Sequence, residues 1–81
     1  MTVESKILAR LTNVFRDVFG DKNLEINSDS NAETLEDWDS LRHISLITGI
    51  EAEFEIRIAL GEITDLKNVG DMITLISRKI D

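Results

Sequence analysis

Apolar residues recur at three- and four-residue steps in three stretches of the chain. Val3, Ile7, Leu8, Leu11, Val14, Phe15 and Val18 mark the first. Their single stripe predicts an amphipathic helix from about Val3 to Phe19. Thr2 suits its N-cap and Gly20 the position just past its C-terminus, while Lys6, Arg10 and Arg16 fall on its polar side. The second pattern opens at Ser40 and runs to about Glu55. Asp39 precedes it, and a carboxylate there can accept from the free N–H groups of a first turn. The third follows Asn68 and turns Val69, Met72, Ile73, Ile76 and Ile80 inward. Asn68 and Asp71 are spaced like a capping box with Asp in place of Glu, and Arg78 and Lys79 fall in the last turn, where the helix dipole favours cations. A shorter helix is expected around Gly61 to Leu66. Leu24-Glu25-Ile26 is too short to be more than an extended loop piece. The pattern therefore predicts an all-α fold: a small four-helix bundle, three main helices and one minor one, forming a single domain over residues 1–81.

Between the first two helices, Asp21 to Trp38 reads as a long loop rich in Asn, Asp and Ser, which favour turns over helix interiors. Structureless loops of this length are uncommon in compact domains and are often functional. Leu24, Ile26, Leu35 and Trp38 are its expected anchors on the bundle.

Composition narrows the function. A chain of 81 residues has one core, and a deep catalytic cleft would consume much of it, which argues against an enzyme. There is no cysteine, so disulfides, thiolate metal sites and cysteine nucleophiles are excluded and any thiol chemistry must come from an attached group. No apolar run approaches membrane-spanning length. The first residues lack the basic-then-apolar plan of a signal peptide, and the expectation is a cytoplasmic monomer that binds neither membrane nor nucleic acid. The formal charge of −7 is concentrated: from Asp29 to Asp65 ten carboxylates face only Arg42 and Arg57. Such a centre repels nucleic-acid phosphates and steers basic protein partners, although an acid excess also serves solubility alone.

On a helical wheel, Leu46, Ile47, Ile50 and Phe54 form the core stripe of the second helix, with His43 above them. Ser40, Leu41, Ile44, Thr48 and Glu51 fall on another side. A helix packed on one face has little structural need for Leu41 and Ile44. They read either as a docking surface beside carboxylates or as positions covered by the preceding loop. Ser40 lies at the edge of this second face, at the first helical position. A phosphate esterified there would meet free backbone N–H groups and the positive helix end. Asp39 is available as the cap, which frees Ser40 for modification.

Two other chemistries fit poorly. Asp39, Ser40 and His43 suggest a hydrolase, but a nucleophile needs an oriented base, an oxyanion hole and exclusion of water, and an exposed helix start offers no pocket. Asp29 to Thr34 loosely resembles a calcium loop, but Thr34 stands where the sharp turn requires Gly. No metal site is expected.

Asp39-Ser40-Leu41 at the head of a helix, after a long polar loop, resembles the attachment motif of acyl carrier proteins. The frame around it agrees: Trp38 before the motif, Phe54 and Ile58 after it, and Asn68-Val69-Gly70-Asp71 opening the last helix. The resemblance implies 4′-phosphopantetheine, transferred from coenzyme A to Ser40 by a phosphopantetheinyl transferase of the holo-acyl-carrier synthase type. The arm's thiol would then hold acyl groups as thioesters. It implies that Asp39 caps the helix and assists the transferase. Leu41, Arg42, Ile44, Thr48 and Glu51 would meet partner enzymes: an acyl ligase or acyltransferase, a ketosynthase and others of fatty acid, polyketide or related biosynthesis. Leu46, Ile47, Ile50, Phe54, Ile63 and Leu66 would line an acyl cavity, with ordinary core packing as the alternative for each. Arg42 and Ser45 stand where housekeeping fatty-acid carriers have acids, and Asp37 and Trp38 where small residues are common. These departures imply a specialised carrier with a dedicated pathway. The alternatives are a peptidyl or aminoacyl carrier and an acidic interaction module that carries nothing.

Overall fold

A computed structural model describes residues 3–35 and 38–80 of the chain. Its helices are α1 (Val3–Phe19), α2 (Ser40–Phe54), α3 (Leu60–Ile63) and α4 (Val69–Ile80). The all-α prediction holds among the described residues, where the sole β-type pairing is an isolated bridge between Asn31 and Asn68.

α1 ends where its sequence predicts. Gly20 adopts a left-handed φ of +66°, and the Asp21 N–H returns to the Arg16 carbonyl at 3.1 Å; the absence of a Cβ makes this reversal inexpensive. Thr2, the expected N-cap, lies outside the described residues. α2 stops at Phe54 rather than Glu55. Glu55 takes the left-handed cap conformation itself, with φ +55° and its N–H on the Glu51 carbonyl. α3 begins one residue before Gly61 and ends three before Leu66, because Glu62 reaches back to accept from the Ala59 N–H at 2.8 Å. At α4, Asn68 Oδ1 accepts from the Asp71 N–H at 2.8 Å, as a capping box requires. Asp71 does not complete the box; its Oδ2 accepts from the Lys67 N–H instead. Ile80, expected inward, is 40% exposed at the helix end.

Ile7, Leu11, Val14 and Phe15 of α1 meet Leu46, Ile47, Ile50 and Phe54 of α2 and Val69, Met72, Ile73 and Ile76 of α4 in one core. Burial of this apolar surface is the main stabilising term. Outside the core, Arg10 ties α1 to α2. Its Nε donates to Glu53 Oε2 at 2.9 Å, and its guanidinium lies 4.4 Å from the Phe54 ring centroid.

The long loop is pinned by its own polar residues. The Val69 N–H donates to the Ser30 carbonyl and the Gly70 N–H to the Ser28 carbonyl, each at 2.9 Å. Ser30 is buried, and its Oγ accepts from the Asn27 N–H. Asn31 Oδ1 accepts from the Glu33 and Thr34 N–H groups, so this side chain organises a turn. All four expected anchors, Leu24, Ile26, Leu35 and Trp38, pack on the core.

Candidate functional site

The loop delivers Trp38 to the bundle and leaves Ser40 outside it. Trp38 is buried at 7% exposure, with Phe15 edge-on at 5.3 Å between centroids. Two residues later the chain enters α2. Asp39 is extended, and its Oδ1 accepts from the Arg42 N–H at 2.8 Å. Because Asp39 performs the capping, the exposed Ser40 needs no part in it; its hydroxyl has no partner among the described residues. This geometry suits a bulky substituent on Ser40, since nothing must be displaced to place one there.

α2 does present two faces. Leu46, Ile47, Ile50 and Phe54 are in the core, while Leu41 and Ile44 remain 72% and 61% exposed. The loop therefore leaves the second face open. Thr48 is exposed on α2 as well, its hydroxyl donating to the Ile44 carbonyl. Glu51 and Arg42 have structural engagements. Glu51 Oε2 accepts from the Ile58 N–H at 2.9 Å and so braces the connection to α3. Arg42 is half-buried, with Nη1 3.5 Å from Asp39 Oδ2 and its guanidinium 6.0 Å from the Phe19 ring of α1. Of the residues suggested as cavity lining, Leu46, Ile47, Ile50, Phe54 and Leu66 are buried core members, and Ile63 packs at the core margin.

His43 is turned inward. Trp38 Nε1 donates to its Nδ1 at 3.1 Å, and its Nε2 lies 3.3 Å from the Ile63 carbonyl. With Nδ1 accepting, the ring proton belongs on Nε2, where it is donated to Ile63. Both nitrogens are engaged away from Ser40, which removes the base that a hydrolase would require. The periodicity of α2 placed His43 above the core but did not connect it to Trp38 and Ile63. The signal was available: a buried indole N–H needs an acceptor, and His43 stands one helical turn beyond Asp39.

Ala32, Trp38, Asp39, Ser40, His43 and Ile44 enclose an open recess of about 440 Å³ with mostly apolar walls. Ala32 had no sequence signal, because its contribution depends on the path of the loop. Among the described residues no group of three or more His, Cys, Asp or Glu side chains is arranged to hold a metal ion, and no helix is long and apolar enough to cross a membrane.

A bundle that buries Trp38 two residues before a helix and presents an exposed serine at the helix head, beside an exposed apolar face, has the architecture of a carrier domain. The family described as the phosphopantetheine attachment site matches residues 9–76. The fold is also similar to the solution NMR structure of the holo acyl carrier protein of Geobacter metallireducens, with a TM-score of 0.83 and 41% sequence identity over 90% of this chain and 84% of that one. No curated protein matches the sequence. The chain belongs to the acyl carrier protein family, whose covalently attached cofactor is phosphopantetheine.

Proposed function

We propose that Ser40 is the attachment residue and that the protein presents thioester-bound acyl groups to the enzymes of a dedicated biosynthetic pathway. The observation that carries this reading is the division of labour between neighbours: Asp39 caps α2, leaving an exposed Ser40 hydroxyl without a partner among the described residues. In the transfer, Ser40 Oγ loses its proton and bonds to phosphorus while the pyrophosphate bond of coenzyme A breaks and its nucleotide half departs. Phosphopantetheine, once attached, supplies the thiol that this cysteine-free chain lacks. A phosphopantetheinyl transferase is thus the first partner, and a cytoplasmic setting fits the use of coenzyme A as donor.

Leu41 and Ile44 supply the apolar part of the partner surface, within a chain of net charge −7. Basic surfaces on an acyl ligase or acyltransferase and a ketosynthase complement it. Arg42 and Ser45 stand where general fatty-acid carriers have acids, so the surface beside Ser40 is less acidic than theirs, which supports a specialised fatty acid, polyketide or related pathway.

The test is intact-mass analysis after incubation with coenzyme A and a broad-specificity phosphopantetheinyl transferase, followed by fragmentation. One added arm on the peptide containing Ser40, and none in Ser40→Ala, is the expected result. An unmodified wild-type chain, or an arm on another residue, overturns the assignment.

A further inference from the structure

We propose that Trp38 and His43 are specificity-determining residues: together they close the inward path from Ser40 and keep the arm's acyl cargo in the recess outside the core. The inference rests on Ser40 as the attachment residue and concerns where its cargo lies.

Ser40 is itself part of the recess wall, and Trp38, His43 and Ile44 supply apolar surface within it. The tethered occupant is therefore held at the recess by covalent attachment. Inward of this site, the Trp38 and His43 rings stack with centroids 6.0 Å apart and planes 21° from parallel. The pair is anchored on both sides, by Phe15 of α1 against the indole and by the Ile63 carbonyl of α3 on the imidazole. A chain threading from Ser40 between α2 and α3 must part these rings and break both hydrogen bonds. It would leave a buried indole N–H without an acceptor. A short acyl group fits outside with none of these losses, whereas a long one gains burial only by opening the barrier. The cargo class that follows is short acyl groups.

The test loads the full chain with acetyl, butyryl, hexanoyl and octanoyl arms from the corresponding coenzyme A thioesters. Loading at Ser40 is verified by mass. Two readouts follow: NMR shifts of the Trp38 indole and of the Leu46, Ile50 and Leu66 methyls, and the rate of thioester cleavage by hydroxylamine. In wild type, the shifts should centre on Ala32, Trp38 and Ile44, the core methyls should stay in place, and octanoyl should be cleaved as readily as acetyl. Trp38→Leu removes the indole donor and much of the barrier. The one hydrogen bond this removes, Trp38 Nε1 to His43 Nδ1, corresponds to a bias of roughly fivefold toward interior cargo, seen as slowed octanoyl cleavage and shifted core methyls. Octanoyl buried in the wild-type core overturns the proposal alone and leaves the attachment intact. Absence of an arm on Ser40 overturns both. If Trp38→Leu does not fold, the wild-type chain-length series decides by itself.

Discussion

The Trp38 indole and the His43 imidazole position each other, with Nε1 donating to Nδ1 at 3.1 Å in a pair that links the loop, α2 and α3. His43→Ala leaves the indole N–H without its acceptor and removes the bond to Ile63. Two hydrogen bonds, one of them leaving a buried donor unsatisfied, are together worth about 2–3 kcal/mol. Urea unfolding followed by fluorescence reads this directly, because Trp38 is the single tryptophan. A change below about 0.5 kcal/mol would be that of an ordinary surface substitution and would contradict a cohesive role. Long-range nitrogen–proton NMR correlations should also place the imidazole proton on Nε2.

Asp39 has a separable pair of roles. Its Oδ1 satisfies the Arg42 N–H, and its charge stands beside Ser40. Asp39→Ala removes both and should cost about 1 kcal/mol of stability, as loss of an N-cap does. Asp39→Asn retains a capping oxygen and should melt near the wild type. If the carboxylate also assists the transferase, both variants should be modified slowly at Ser40 under conditions where both are folded. Equal modification rates in Asp39→Asn and wild type would confine Asp39 to capping.

The sequence made the helices and the core legible because a helix writes its buried face at a fixed period. Ile7, Leu11, Val14 and Phe15 could be placed without coordinates, whereas the period put Leu41 and Ile44 on a second face but left open whether the loop covers it; they are exposed. Contacts that join residues across a loop left no such periodic mark. The engagement of Glu51 with Ile58, the turn of Arg42 toward Phe19 and the presence of Ala32 beside Ser40 all depend on the path of the chain between helices. The inward position assigned to Ile80 failed for a different reason: the helical period continues to the last turn, but the bundle does not extend far enough to cover it.

Gly49 of α2 packs closely against Val14 of α1. A Cβ there would stand 2.8 Å from Val14 Cγ1, whose side chain is buried and stiff at χ1. Gly49→Ala gains helix propensity of about 1 kcal/mol but meets an overpacking cost of about 1–3 kcal/mol, so it should be neutral to destabilising. In a Val14→Ala background the obstruction is gone, and the same substitution should stabilise by up to about 1 kcal/mol. Thermal unfolding of the four members of the cycle checks the change of sign. Equal effects in both backgrounds would mean that Val14 does not limit the approach.

Glu62 joins α3 to the end of α4, and this junction should weaken in acid. The Ala59 N–H, first, and the Lys79 ammonium, second, hold its carboxyl below the ordinary glutamate value of 4.5; Lys79 Nζ lies 3.0 Å from Oε1. A carboxyl depressed in the folded protein contributes stability that is fully present above its unfolded value and is lost as pH falls through the folded one. Glu62→Gln can still accept from Ala59 but cannot gain or lose the charge. The stability difference between wild type and Glu62→Gln should therefore be constant near neutrality and shrink as pH drops below about 4.5. Amide exchange at Ala59 and Ile63, or thermal unfolding across that range, measures it. Stability curves that remain parallel down through the acid range would show that the ionised carboxylate does not hold α3 in place.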